Sequence, residues 1–378
     1  MKTRKKSRWK WLKIIMLGTL CAVAVSAAWN AFTYQHPGGD PVLDSRSKLP
    51  EFKNEELTPE LRALVERYAP VINQGASRKI EKRHWDTPKR MDFDGDWEGR
   101  NNEQSLRSLA ATGELEAAVY YAVVESETHV FLTYFLFHPL DWESTPNLLW
   151  VGRWHENDGE SVQVVVRKRD SKVVLLATQA HLDTHLYAAA GEEVRSRSGW
   201  TVEDKPMQME SGRPVVFVES GGHGIYGARV KGRAAGSVTH LFCPPGFELM
   251  ELSEKQWTDY ELVPIHDTLW KMYREREHLG DGGMLDGAFD YESDRVAYRA
   301  LPRHFDSDRL SVLALWKFDA GVVPFAFSHS LLADDLGVLF FEPARKYAEA
   351  FEFGVGVNGA GEPWAETYVY NPYLPARP

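Results

Sequence analysis

The segment Asp158-Gly-Glu-Ser-Val-Gln-Val-Val-Val166 constrains the fold of this chain more than any other. Its β-branched run reads as a strand, and strand side chains alternate between faces, so Asp158, Glu160, Val162, Val164 and Val166 share one face. The valines mark that face as the core side. Two carboxylates therefore enter the interior at its mouth, and burying such charges without a partner costs roughly several kcal/mol or forces protonation. The fold must bring a cation to them.

The surrounding sequence has the same texture. Ala118 to Val124, His129 to Phe137, Lys172 to Thr178 and Arg213 to Glu219 are short runs rich in Val, Phe, Tyr and Leu, punctuated by Gly, Pro, Asp and Asn. The pattern predicts a mainly β fold: an antiparallel β-sandwich decorated with peripheral helices and long loops. Thr58-Pro59 heads a short helix reaching Tyr68, with Thr as the cap and Pro in the first turn. Leu269, Trp270 and Tyr273 place a second helix within His266 to His278. Further on, Leu310 to Trp316 and Gly337 to Phe341 read as strands and Pro343 to Phe351 as helix.

The beginning of the chain has a different character. Residues 1 to 13 carry only positive charge and precede the uncharged run Ile14 to Trp29. A basic segment before an apolar one stays cytoplasmic and sends the rest out. Residues 1 to 34 thus read as a basic segment plus a transmembrane signal-anchor, or as a signal peptide cut near Val25 to Ala28. The apolar run is shorter than the ~20 residues that span comfortably. Extension to Phe32 and Tyr34 favours the anchor, and with it a single-pass membrane protein whose C-terminal domain lies outside the cytoplasm; the alternative is secretion. Residues 35 to 53, with four Pro and Gly between Pro37 and Pro41, read as a linker, and 54 to 378 as one exported domain.

Composition supports a globular domain, with 43% hydrophobic and 26% charged residues. The net charge of −10 argues against a nucleic-acid partner, which expects a basic footprint. Of two cysteines, Cys21 lies in the apolar run, which leaves Cys243 without an intrachain disulfide partner in the exported part.

Histidines are the candidate partners of the acids. The Val162 to Lys168 and Lys172 to Thr178 strands are joined as a hairpin. A turn at Arg169-Asp170 sets Asp158 opposite His181, and a turn at Asp170-Ser171 sets Glu160 there instead. The Arg213 to Glu219 strand runs into Ser220-Gly-Gly-His223, where the glycines permit a sharp turn. His155, Asp158, Glu160, His181 and His223 form the expected metal set. Oxygen and imidazole ligands suit Mg²⁺, Ca²⁺ or Mn²⁺, and Zn²⁺ if more than one His binds. The same groups also suit a hydrogen-bond network with no metal.

His155-Glu-Asn-Asp-Gly-Glu160 resembles a motif of the Vps62-related proteins, and more distantly the heptapeptide of the necrosis-inducing NPP1-like proteins. Arg213-Pro-Val-Val-Phe-Val-Glu-Ser-Gly-Gly-His-Gly-Ile-Tyr226 is similar to the later Vps62 motif. The resemblance covers roughly Val119 to Tyr226 and implies a β-sandwich in which His155, Asp158 and Glu160 surround a divalent cation that engages a sphingolipid head group. Asn157 and Gly159 stand where the NPP1-like family has His and Trp, so cytolytic activity is not implied.

A secondary acidic cluster, Asp92, Asp94, Asp96 and Glu98, has calcium-loop spacing but carries Trp97 where an EF-hand needs Gly. It reads equally as a turn held by Asx hydrogen bonds. Asp141-Trp-Glu143 borders the first site. The leading expectation is a binding module at the cell envelope that uses a divalent cation to hold a polar lipid or glycan head group. One alternative is a metal-dependent hydrolase of phosphoesters or glycolipids, although no Gly-x-Ser-x-Gly elbow or His-Glu-x-x-His helix is present. The other is a structural envelope protein without metal.

Overall fold

The computed structural model describes residues 56–77, 84–97, 101–109, 116–141, 155–180, 183–197, 200–228, 252–257, 259–275, 291–292, 297–298, 336–354, 357 and 364–374. The chain is mainly β, as the strand texture implies. Its principal elements are helix α1 (Pro59–Tyr68), β1 (Val71–Ser77), helix α2 (Asn102–Leu109), β2 (Ala118–Ser126), β3 (His129–Asp141), β4 (His155–Arg167), β5 (Lys172–Ala180) and β6 (Asp183–Ala188).

The larger sheet has eight strands, with β2, β3, β4, β5 and β6 as consecutive antiparallel neighbours. The smaller has five, with β1 between the Arg213–Val218 and Leu252–Trp257 strands. Pairing is not antiparallel throughout, since Arg213–Val218 runs parallel to β1 and Glu261–Pro264 parallel to β2.

Alternation explains the layering. On β4, Val162, Val164 and Val166 pack with Val216, Val218 and Ile225 of the second sheet and with Leu61 and Val65 of α1. Val165 faces the other way, into a cluster with Phe131, Trp270, Phe341 and Tyr347. The large sheet is therefore covered on both faces, and β3 is buried along its whole length. A strand covered on both sides reads as a near-continuous apolar run, which is the character of His129 to Phe137. α1 starts as expected: the Thr58 hydroxyl accepts from Leu61 N at 3.3 Å.

Three expectations need correction. Leu336–Phe341 is a helix, not a strand, and Leu339, Phe340 and Phe341 are all buried. A short apolar run with no polar alternation fits either element, and packing against the sheet decides. The hairpin starts in the register of the Arg169-Asp170 turn, with Arg167 opposite Lys172 and Val166 opposite Val173, but a bulge between Val165 and Val166 then pairs Val162 with Thr178, one residue off the alignment that set Asp158 opposite His181. The single-pass membrane placement is also withdrawn. Among the described residues no helix is long and apolar enough to cross a membrane, the longest being α1 with 10 residues against the ~20 required. The leader, the linker, Glu98, Trp142, Glu143, His181, Cys243 and Leu310 to Trp316 lie outside the described residues.

Candidate functional site

The site is assembled where β4 enters the large sheet. In the β3–β4 ladder His138 stands opposite Asp158, Leu136 opposite Glu160, Leu140 opposite Glu156 and Asp141 opposite His155. Residues opposite one another share a face, so Glu156, Asp158, Glu160 and His138 line the same side, and all four are buried. Asn157 between them takes a left-handed backbone, φ 61°, which Asn tolerates better than most residues. Its side-chain oxygen accepts from Asn102 Nδ2 at 2.8 Å, and Glu156 Oε1 accepts from Glu103 N at 2.7 Å. β4 thereby caps the start of α2, where a carboxylate is favoured.

The second sheet delivers His223. Val218 pairs with Ile225, and the Ser220–Gly224 turn between them places Gly221 at φ 90° and His223 at φ 51°. These left-handed residues turn the chain sharply between the two strands. His223 Nδ1 lies 2.7 Å from Asp158 Oδ2, and Nε2 lies 3.4 Å from Asp86 Oδ1. Asp86 comes from the turn His84–Asp86 and also accepts from Ser220 Oγ at 3.1 Å and Gly221 N at 2.9 Å. The His223 and His138 rings lie flat on one another, centroids 3.8 Å apart.

Burial by itself would push the His223 imidazole down, but its hydrogen bonds and charge attraction to Asp158 and Asp86 outweigh this and hold it up at about 9. His138 goes the other way: burial, then the charges of His223 and Lys89, hold it well below its ordinary value. The two stacked rings are thus shifted in opposite directions. Lys89 is also buried, its ammonium donating to Thr87 O at 2.7 Å and to His84 O, while its backbone N–H donates to Phe137 O at 2.9 Å. These bonds tie the Asp86 segment to β3.

The expected residues thus divide. Asp158 and His223 are brought together, and Glu160 is buried next along the same strand face. His155 is fixed in the backbone ladder opposite Asp141. In the secondary cluster, Asp92 is gripped by Arg90 through Nε and Nη2 at 2.9 and 3.2 Å. Asp94 Oδ1 accepts from Asp96 N at 3.4 Å, and Asp96 from Asn101 Nδ2 at 3.1 Å. This is the geometry of a turn held by its own side chains. Asp86, His138 and Lys89 escaped the sequence reading. His138 is reachable by extending the β3–β4 pairing to the acids, but nothing near Asp86 announces that it meets a residue over a hundred positions away.

The donor chemistry of carboxylates and imidazole suits a divalent ion, but the arrangement does not. Asp158 Oδ2 is engaged by His223 and Asp86 Oδ1 by Ser220 and Gly221, and among the described residues no three His, Cys, Asp or Glu stand where one ion could be held.

No protein-family model matches the chain, and no curated protein does. Among solved structures it is similar to the necrosis and ethylene inducing protein 2 of the causal agent of cocoa's witches' broom disease, at 15% identity over 59% of this chain and 79% of that one, TM-score 0.29. It is also similar to NLPPya in complex with mannosamine, at 16% identity over 64% and 88%, TM-score 0.33. For the non-toxic HaNLP3 protein the figures are 14%, 63% and 88%, TM-score 0.31. These neighbours are NPP1-like proteins at low identity, and superpositions this loose leave the functional reading to the site itself.

Proposed function

We propose that this chain is a β-sandwich binding protein whose acidic site takes the polar head group of a glycan or lipid, one that combines a protonated amine with hydroxyl donors. The observation that supports the reading is the excess of acceptors on one side of β4. Glu156, Asp158 and Glu160 are buried along one strand, and Asp86 approaches Asp158 across His223; among the described residues His223 and Lys89 are basic groups buried nearby. Carboxylates accept and do not donate, so a complementary ligand must be rich in donors. A neutral sugar supplies hydroxyls alone; an amino sugar or an ethanolamine group adds the charge.

Calorimetric titration of the purified protein tests this. Mannosamine and glucosamine are suitable first probes, with N-acetylmannosamine and phosphoethanolamine as comparisons. Binding of the free amines, lost on N-acetylation and weakened about tenfold by Glu160→Gln, is the expected result, a tenfold loss being the size of one charge-assisted hydrogen bond. Absence of heat with every amine at millimolar concentration overturns the reading. Phosphoethanolamine distinguishes a lipid head group from a sugar.

A further inference from the structure

We propose that His185, oriented by Glu203, forms a second polar position on the same face of the large sheet and takes the hydroxyls of a neutral sugar joined to the amine-bearing unit, so that the ligand is a glycan of linked rings rather than a single head group. This deepens the acidic-site reading and rests on it.

The sheet carries the two positions on one face. Val162 on β4 stands opposite Thr178 on β5, and Thr178 stands opposite His185 on β6, so the three side chains form one row. Glu160 precedes Val162 on that face by strand alternation. Two strand spacings across and two residues along put His185 on the order of 12 Å from Glu160, a span for linked rings rather than for one. Tyr226, from the hairpin that carries His223, packs its ring 5.4 Å from that of His185.

The polar groups there are arranged for a partner that both donates and accepts. Thr201–Val202 runs parallel to β6 with Thr201 opposite His185, and the chain just beyond brings Glu203 Oε1 to 2.8 Å from His185 Nδ1. A carboxylate only accepts, so Nδ1 carries the proton of that bond and Nε2 is left for another group. Among the described residues Nε2 has no hydrogen-bond partner. The Thr178 hydroxyl, next in the row, is wholly buried and also has none among them. Buried hydroxyls are nearly always paired, so this one, beside an oriented imidazole, marks a place for a ligand group or a water.

The chemistry selects the ligand. His185 and Glu203 are 15% and 34% exposed and reach it directly, and one bridging water extends the pairing to Thr178. A sugar hydroxyl donates and accepts at once and suits all three groups. An ammonium only donates, and a phosphate is repelled by Glu203.

Calorimetric titration of the full chain with glucosamine and with glucosaminyl-N-acetylglucosamine, whose second ring is neutral, tests this. The disaccharide should bind about tenfold tighter, the worth of one charge-assisted hydrogen bond. Glu203→Gln and His185→Leu should each bring that ratio down to near one. Glu203 lies at the surface, so its variant keeps the fold even where His185→Leu does not. In the parent, the His185 ring protons should shift in NMR spectra with the disaccharide and not with glucosamine. A ratio near one in the parent, a ratio that survives Glu203→Gln, or a His185 ring silent to the disaccharide overturns the proposal while binding of glucosamine leaves the acidic-site reading standing. Binding of phosphoethanolamine but of neither sugar does the same, and if no amine binds at all, both fall.

Discussion

His138 and His223 lie ring on ring, 3.8 Å between centroids and 1° from parallel, yet they titrate in opposite directions. His138 is held low by burial, while the carboxylates of Asp158 and Asp86 overcome burial at His223 and push it up to about 9. The consequence is a stability optimum. Above the unfolded value near 6.5 the unfolded chain loses the His223 proton and the folded chain keeps it, so stability falls as pH rises through about 9. Below 6.5 the unfolded chain gains a proton at His138 that the folded chain refuses, so stability falls again, and His129, lowered to about 4 chiefly by burial, adds to that loss. Urea unfolding between pH 5 and 9.5 should show a maximum near pH 6.5, with an alkaline loss on the order of 3 kcal/mol. His223→Gln should remove the alkaline limb and leave the acid one.

Asp86 and Asp158 act through the same ring, so their contributions are coupled. Asp86→Asn keeps an oxygen for Ser220 Oγ and Gly221 N and removes only the charge that faces Nε2. Asp158→Asn removes the charge facing Nδ1. Each change leaves an imidazolium with one buried partner and should cost about 3 kcal/mol, within the range for breaking buried ion pairs. The double variant should fall short of the sum by at least about 1 kcal/mol, because without both acids His223 folds as the neutral ring and sheds part of its penalty. Additivity would mean that the two carboxylates do not share the histidine.

The parts of this architecture that were legible from sequence are those governed by local rules. Strand alternation placed Val162, Val164 and Val166 in one core and carried Asp158 and Glu160 inward with them, and the Thr58 cap followed from its position before Pro59. The parts that were not legible depend on distant partners. A single bulge after Val165 undoes the hairpin arithmetic that carried His181 to the acids. Asp86 reaches His223 because β1 runs parallel to Arg213–Val218, a pairing that no local pattern announces. The meeting of His223 with Asp158 was therefore readable, whereas the approach of Asp86 to the same ring required the sheet order.

Gly227 tests whether the hairpin that carries His223 tolerates displacement. A Cβ at this position would sit 2.7 Å from Tyr187 Cδ2 and 2.8 Å from Leu176 Cδ2. Both neighbours are buried in the core between the sheets, so neither ring nor methyl can swing into solvent. The glycine is required by proximity, and Gly227→Ala should destabilise the protein by about 1–3 kcal/mol, the usual cost of overpacking. Urea midpoints should fall with the slope unchanged. The strain has one direction to go, since Tyr226 and Ile225 immediately before it pair with Phe217 and Val218, the strand that leads into the His223 turn. Pushing that hairpin off the large sheet lengthens the contact between His223 and Asp158, so the variant should also show a shallower alkaline limb than the parent. A loss of stability with the alkaline limb intact would place the strain elsewhere and show that the imidazolium clamp is independent of this close approach.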